Sequence, residues 1–209
     1  MLNRLQVSAL VFVVALLWGV SLVLQGIDVS PELLKPFSTV VGALVVFFAI
    51  FEHFLWKVPG INGWIVKRPN IAGTWKVTFQ TTWKNPETGV APGPAAAFMV
   101  VKQTFSHVTM TLLTKESSSQ FVADALSLGP DGRFAAYGVY LNEPKAAVRH
   151  RSEIHYGALK LTLQGAPVTT MEGIYWTDRL TKGDLKLEER RTRAIDSFED
   201  GVREFGLTV

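Results

Sequence analysis

The sequence has no cysteine among its 209 residues and only four histidines. Disulfides are therefore excluded, and so are zinc sites built on thiolates. The histidines do not form an HExxH spacing, and neither a phosphate-binding P-loop nor a Gly-x-Ser-x-Gly nucleophile motif is present. We therefore predict no catalytic residue, no metal site, no cofactor and no enzymatic activity.

A strong excess of basic charge is also lacking. From Lys57 onward the chain has 19 lysines and arginines against 15 aspartates and glutamates. Proteins that bind a nucleic-acid duplex present a dense basic face, so no DNA or RNA duplex is predicted as a partner. The modest excess favours a small anionic ligand or anionic lipid headgroups.

What the sequence does have, in its first quarter, is two long apolar segments. One runs from Leu5 to Ile27 without a charged residue. The other runs from Pro36 to Phe51, and it reaches Trp56 if Glu52 and His53 lie at the membrane interface. A helix of about 20 residues crosses a hydrocarbon core of about 30 Å. We therefore predict two transmembrane helices, about 5–27 and 36–56, in an N-terminal region 1–57. A cleaved signal peptide is the alternative for the first segment, but the apolar run is too long.

Basic residues near these segments predict an orientation. Arg4 precedes the first segment, and Lys57, Lys67 and Arg68 follow the second, whereas only Lys35 lies between them. Cytoplasmic ends of spans carry the excess of lysine and arginine. The pattern predicts a multi-pass inner-membrane protein whose N-terminus and main domain, beyond a linker at 58–69, lie in the cytoplasm.

Residues 70–192 have the pattern of short antiparallel strands separated by turns. Trp75, Val77 and Phe79 alternate with polar residues, which is typical of a strand with one buried face. We predict an eight-stranded up-and-down β-barrel, with an open sandwich as the alternative. Its strands are predicted at 71–83, 97–106, 107–115, 120–128, 133–142, 153–164, 169–178 and 183–191. Ser117 to Ser119 is interpreted as a turn, and 193–209 as an amphipathic C-terminal helix and tail.

An eight-stranded barrel is either filled by side chains or holds one small ligand. Alternation along the strands places polar and aromatic residues towards the mouth of the barrel, and Trp75 is expected at its base. We predict that these residues bind the ligand: Trp75, Tyr140, Asn142, His155, Tyr175, Thr177 and Arg179. Rings stack nucleobases, and arginine binds phosphates. The alternatives are that the tyrosines plug the barrel, that His155 is structural and that Arg179 is a surface residue.

Two apolar segments followed by four motifs in this order resemble the two-transmembrane, β-strand-rich effectors of bacterial anti-phage signalling known as CBASS. The motifs are Pro69-x-Ile71-x-Gly73-x-Trp75, Tyr140-Leu141-Asn142-Glu143-Pro144, His155-Tyr156-Gly157 and Gly173-Ile174-Tyr175-Trp176-Thr177-Asp178-Arg179. The resemblance covers almost the whole chain. No single motif is specific, since Gly-x-Trp also begins lipocalin barrels, but their order and spacing are.

The resemblance implies a minimal lipocalin-like barrel that binds a cyclic dinucleotide made by a partner CD-NTase after infection. It also implies that the effector then forms a homo-oligomer in the lipid bilayer of the bacterial inner membrane and disrupts it, which kills the infected cell. Two other functions are compatible with the residues. One is a membrane-tethered, lipocalin-like carrier of an apolar ligand, and the other is an interaction module with a fully packed barrel.

Overall fold

The computed structural model of the protein describes residues 4–26, 31–64, 66–84 and 88–208. The chain divides into two compact units, Met1–Val66 and Lys67–Val209. Ile27, the predicted end of the first apolar helix, lies outside the described residues.

The first unit contains two helices, α1 at Arg4–Leu24 and α2 at Pro31–His53, followed by a 3₁₀ turn at Leu55–Lys57. Across the part of this unit that the structure describes, and in the rest of the described chain, no helix is both long enough and apolar enough to cross a membrane. This finding corrects the predicted transmembrane hairpin at about 5–27 and 36–56. It also corrects the predicted multi-pass location in the bacterial inner membrane.

The error has a physical reason. The prediction infers each span from the length and low charge of a segment of sequence, whereas crossing a bilayer requires sufficient length and apolar character in one and the same helix. The orientation of the N-terminus and the barrel in the cytoplasm was inferred from basic residues flanking those segments. That inference has no basis once the spans are removed.

The second unit is a closed antiparallel barrel in which each strand pairs with its neighbours in sequence and β1 pairs with β8. The eight strands within the described residues are β1 Gly73–Thr81, β2 Ala95–Gln103, β3 Val108–Leu113, β4 Ser117–Leu128, β5 Phe134–Pro144, β6 His155–Gln164, β7 Thr170–Thr177 and β8 Lys182–Arg191. The predicted antiparallel barrel is confirmed, and the open sandwich is excluded. We call the end of the barrel that carries the β1–β2, β3–β4, β5–β6 and β7–β8 connections the upper end.

The alternation of side chains produces the core as predicted. On β6, Leu159, Leu161 and Leu163 are buried, while Lys160 between them and Tyr156 before them are exposed. One cluster of apolar side chains from all eight strands fills the barrel. Its largest fully buried members are Ile71, Trp75, Met99, Met110, Leu159, Leu161, Met171 and Leu187.

The prediction of a turn at Ser117 to Ser119 is wrong, because these residues begin β4 and pair with Pro144 to Asn142 of β5. Small hydroxyl residues are typical of turns, but here the Ser119 side chain is buried and has a hydrogen-bond partner in Asn142. A polar residue on an inward face is thus accommodated by a polar residue on the next strand.

The C-terminal helix, α3, spans Phe198–Phe205 and begins later than predicted. Ser197 caps it, since its Oγ accepts a hydrogen bond from the backbone N–H of Asp200 at 3.1 Å. The helix covers the outward-facing Phe98 of β2, whose ring centroid lies 5.4 Å from that of Phe198 and 5.3 Å from that of Phe205. It therefore packs against the side of the barrel.

Candidate functional site: a cavity at the upper end of the barrel

A cavity of about 280 Å³ lies at the upper end of the barrel. The structure brings six of the seven predicted ligand-binding residues to its lining: Tyr140, Asn142, His155, Tyr175, Thr177 and Arg179. They come from the upper ends of β5, β6 and β7 and from the β7–β8 turn, which approach one another because consecutive strands run up and down. Alternation along the strands thus locates residues that share one cavity.

Trp75, the seventh predicted residue, does not line this cavity. It is fully buried in the barrel core, and its Nε1 donates a hydrogen bond to the carbonyl oxygen of Ile71 at 2.9 Å. The Arg190 guanidinium lies 5.7 Å from the centre of its ring and donates from Nη1 to the carbonyl oxygen of Asn70 at 2.5 Å. Trp75 therefore links β8 to the entry segment, which is the stretch around Asn70 and Ile71 that precedes β1.

Aromatic rings packed over glycines form part of the cavity wall. A Cβ atom added to Gly157 would lie 2.3 Å from Cζ of Tyr140, and one added to Gly183 would lie 2.6 Å from Cε1 of Tyr175. In both pairs the glycine is the cross-strand partner of the tyrosine. Glycine within a strand commonly marks the close approach of another group. These glycines give the rings space to lie along the barrel wall.

The two tyrosine hydroxyls are neutral hydrogen-bonding groups. Burial raises the pKa of Tyr140 well above its ordinary value, and the proximity of Tyr175 and Asp178 raises it further. Burial also raises the pKa of Tyr175, partly offset by a hydrogen bond with Thr81. Both groups stay protonated at physiological pH, so each can donate a hydrogen bond to a ligand.

Asn142 is held in a defined orientation. Its side chain is buried, and its Oδ1 accepts a hydrogen bond from Oγ of Ser119 at 2.9 Å. Because this contact uses the carbonyl oxygen, the Nδ2 hydrogens remain as donors. On the β7–β8 side, the hydroxyl of Thr177 lies 2.7 Å from that of Thr181. The polar part of the wall is thus built of amide and hydroxyl groups.

His155 begins β6 and is half-buried at the cavity. Its Nδ1 lies 2.8 Å from the carbonyl oxygen of Glu153. A carbonyl oxygen can only accept, so Nδ1 carries the hydrogen. Nε2 is therefore the acceptor of the neutral ring, which suits an amino or hydroxyl group of a ligand.

Two arginines lie at the rim of the cavity. Arg179, in the β7–β8 turn, donates from Nη1 to Oγ of Ser152 at 3.0 Å and from Nη2 to the carbonyl oxygen of Arg151 at 3.4 Å. Arg151, in the β5–β6 connection, in turn donates from Nη2 to Oε1 of Glu116 at 2.5 Å. The turns after β3, β5 and β7 are therefore linked by charged side chains above the cavity.

The sequence prediction missed Glu116, Arg151 and Ser152. They lie in connections between strands, where alternation does not say which residues face inward. A weak signal was available in the spacing of Arg149 and Arg151 in the β5–β6 connection, since a rim with several cations is typical of sites for anionic ligands. This spacing does not distinguish Arg151, which lines the cavity, from Arg149, which does not. Arg149 donates from Nε to the carbonyl oxygen of Pro144.

The residues that line this cavity supply several kinds of binding contact. Within the described ranges, no group of three or more histidine, aspartate and glutamate side chains is arranged to hold a metal ion. The cavity combines aromatic rings, neutral donors, an imidazole acceptor and a rim with two guanidinium groups. Such a set can stack a planar heterocycle and pair with the charge of a phosphate.

Comparison with known proteins supports this chemistry. Residues 66–189 match a family described as "Cap15, cyclic dinucleotide receptor domain". The chain is also 28% identical over 145 residues to CD-NTase-associated protein 15 of Staphylococcus schleiferi, an alignment that covers 66% of this chain and 70% of that protein. The predicted resemblance to CBASS effectors is confirmed, and the chain belongs to the family of Cap15 cyclic dinucleotide receptor domains.

Proposed function

We propose that the cavity at the upper end of the barrel binds a cyclic dinucleotide, and that this binding activates the protein as a bacterial anti-phage effector. The ligand is the product of a CD-NTase acting in the same defence system. Membership of a cyclic dinucleotide receptor family supports the class of ligand, and the name of the staphylococcal relative supports the link to a CD-NTase.

The observation that carries the proposal is the convergence of Tyr140, Asn142, His155, Tyr175 and Arg179 on one cavity. A cyclic dinucleotide has two bases and two phosphodiester groups. The tyrosine rings offer surfaces for the bases, Asn142 and His155 offer a donor and an acceptor for base edges, and Arg179 offers a cation for a phosphate. An apolar ligand would use the rings but not the charged rim.

We expect Arg179→Ala to weaken binding of a cyclic dinucleotide by about tenfold or more, because a hydrogen bond to a charged group contributes about 1.5–3 kcal/mol. Isothermal titration of the full chain with cyclic di-AMP, cyclic di-GMP and cyclic GMP-AMP measures this. Arg133→Ala is the matched control, since Arg133 is an exposed arginine in the β4–β5 turn at the opposite end of the barrel.

Two outcomes would contradict the proposal. If the unmodified chain binds none of the cyclic dinucleotides but is purified with a lipid in the barrel, a carrier of an apolar ligand is favoured instead. If Arg179→Ala and Arg133→Ala bind with the same affinity as the unmodified chain, the role assigned to Arg179 is wrong even though the receptor function stands.

For the step after binding, we propose that ligand binding promotes a homo-oligomer. The outer face of β4–β7 carries a patch of exposed apolar side chains, which we call the outer patch: Val122, Tyr137, Val139, Tyr156, Ile174 and Trp176, each at least 40% exposed. Val139, Ala158 and Trp176 are direct neighbours across three strands. Apolar patches of this kind mark interaction surfaces. Membrane disruption, which presupposes the corrected transmembrane helices, is not part of the proposal.

We expect Trp176→Glu to abolish ligand-induced self-association, because it places a charge within the outer patch. Light scattering after size-exclusion chromatography, with and without a bound cyclic dinucleotide, measures the mass. Leu128→Glu is the matched control, since Leu128 is 55% exposed at the end of β4 away from the cavity. Equal ligand-induced mass for Trp176→Glu and the unmodified chain would show that the outer patch is not the contact.

A further inference from the structure

An acidic side chain lies on the rim of a cavity that is otherwise suited to anions. Glu116 is in the turn between β3 and β4, and its backbone carbonyl accepts a hydrogen bond from the N–H of Lys145 at 2.7 Å. Its carboxylate pairs with Arg151 at 2.5 Å, and both residues line the cavity. Among the described residues that line the cavity, Glu116 alone carries a carboxylate. The two arginines of the rim, Arg151 and Arg179, would attract a phosphate.

From this arrangement we propose that Glu116 is a built-in competitor of the ligand. In the free protein its carboxylate occupies the guanidinium of Arg151, and a phosphate of the cyclic dinucleotide takes its place on binding. Arg151 is then a second phosphate-binding residue beside Arg179, and Glu116 sets the affinity at which the receptor responds. This inference rests on the proposed function and adds a determinant of affinity to it.

The exchange is energetically accessible because the ion pair is weak. The Arg151 and Glu116 side chains are 54% and 50% exposed. A pair in such a setting changes an equilibrium constant by at most about fivefold, since solvent screens the charges. A phosphate offers several acceptor oxygens that a guanidinium can bind at two points, so it is the stronger partner once the rest of the ligand is held.

The position of Arg151 favours this role. Its backbone carbonyl oxygen accepts a hydrogen bond from Arg179, so the Arg179 guanidinium lies against the residue that carries the second guanidinium of the rim. A cyclic dinucleotide carries two phosphates, and two neighbouring cations match that number. Arg151 uses Nη2 for Glu116, while an arginine has five N–H donors in all, which leaves donors for the ligand during the exchange.

The test is a double-mutant cycle on the full chain, with the cyclic dinucleotide that binds the unmodified protein most tightly among cyclic di-AMP, cyclic di-GMP and cyclic GMP-AMP. We expect Glu116→Gln to tighten binding by about fivefold and Arg151→Ala to weaken it by about tenfold or more. In the Arg151→Ala background, Glu116→Gln should change the affinity by less than about twofold, because the competitor then has no site to occupy.

Glu143→Gln is the matched control. Glu143 is an exposed carboxylate on β5 near the same end of the barrel but outside the cavity, so its variant reports the effect of removing one negative charge that does not line the cavity. We expect it to leave the affinity within about twofold of the unmodified chain, given the screening of exposed charges.

Each outcome decides between the claims. If the unmodified chain binds none of the three dinucleotides, the proposed function and this inference both fail. If it binds but Glu116→Gln does not bind more tightly than Glu143→Gln, the competitor is excluded while the receptor function stands. If Glu116→Gln tightens binding equally with and without Arg151, Glu116 acts by direct repulsion of the ligand, and the exchange on Arg151 is overturned.

Discussion

Trp75→Ala is expected to lower the free energy of unfolding of the barrel by about 3–5 kcal/mol, which is the usual cost of truncating a fully buried tryptophan. The residue is completely inaccessible to solvent and belongs to the central apolar cluster. Its loss also leaves the carbonyl oxygen of Ile71 without its hydrogen-bond donor. Domains of this size are stable by only about 5–15 kcal/mol, so the variant should be close to unfolding at 37 °C.

Urea denaturation followed by far-ultraviolet circular dichroism measures this loss. Trp64→Ala is the matched control, because the Trp64 side chain is 83% exposed, and we expect it to change the free energy of unfolding by less than about 0.5 kcal/mol. A loss below about 1 kcal/mol for Trp75→Ala would mean that Trp75 does not hold the entry segment to the barrel. Titration of Trp75→Phe with a cyclic dinucleotide tests the predicted ligand contact separately.

The barrel could be predicted from the sequence because period-2 alternation is a strong local signal. The leucines of β6 show why: Leu159, Leu161 and Leu163 all face inward, as the pattern requires. Alternation fails where the inward face becomes polar. The sequence favours a turn at Ser119 because nothing local indicates that Asn142, 23 residues later, shares a hydrogen bond with it inside the barrel.

The cavity was predictable to the same extent and for the same reason. Asn142 and His155 could be placed by extending the inward faces of their strands past the last apolar residue. Glu116 and Arg151 could not, since they lie in connections whose course depends on tertiary contacts between turns. The structure has α1 at Arg4–Leu24 and α2 at Pro31–His53, whereas the predicted segments were 5–27 and 36–56, and their predicted function as spans was wrong.

The glycines of the cavity wall provide the sharpest test of the site. We expect Gly157→Ala to lower the free energy of unfolding by about 1–3 kcal/mol, the usual cost of an added methyl group in a packed interior. The new Cβ would lie 2.3 Å from Cζ of Tyr140 and 2.4 Å from its hydroxyl oxygen. The ring has to leave the barrel wall, so binding of a cyclic dinucleotide should weaken by about tenfold if Tyr140 stacks a base.

A double-mutant cycle separates this clash from a general effect on β6. In the Tyr140→Ala background the added methyl group meets no ring, so Gly157→Ala should cost at least about 1 kcal/mol less than in the unmodified chain. Gly93→Ala is the matched control, because Gly93 lies in the β1–β2 loop, has an ordinary backbone conformation and would meet no atom within 4 Å. Equal costs of Gly157→Ala in both backgrounds would show that the strain comes from the backbone of β6. The glycine would then have no part in positioning Tyr140, and the contribution of the tyrosine to the site would have to be measured with Tyr140→Phe and Tyr140→Ala alone.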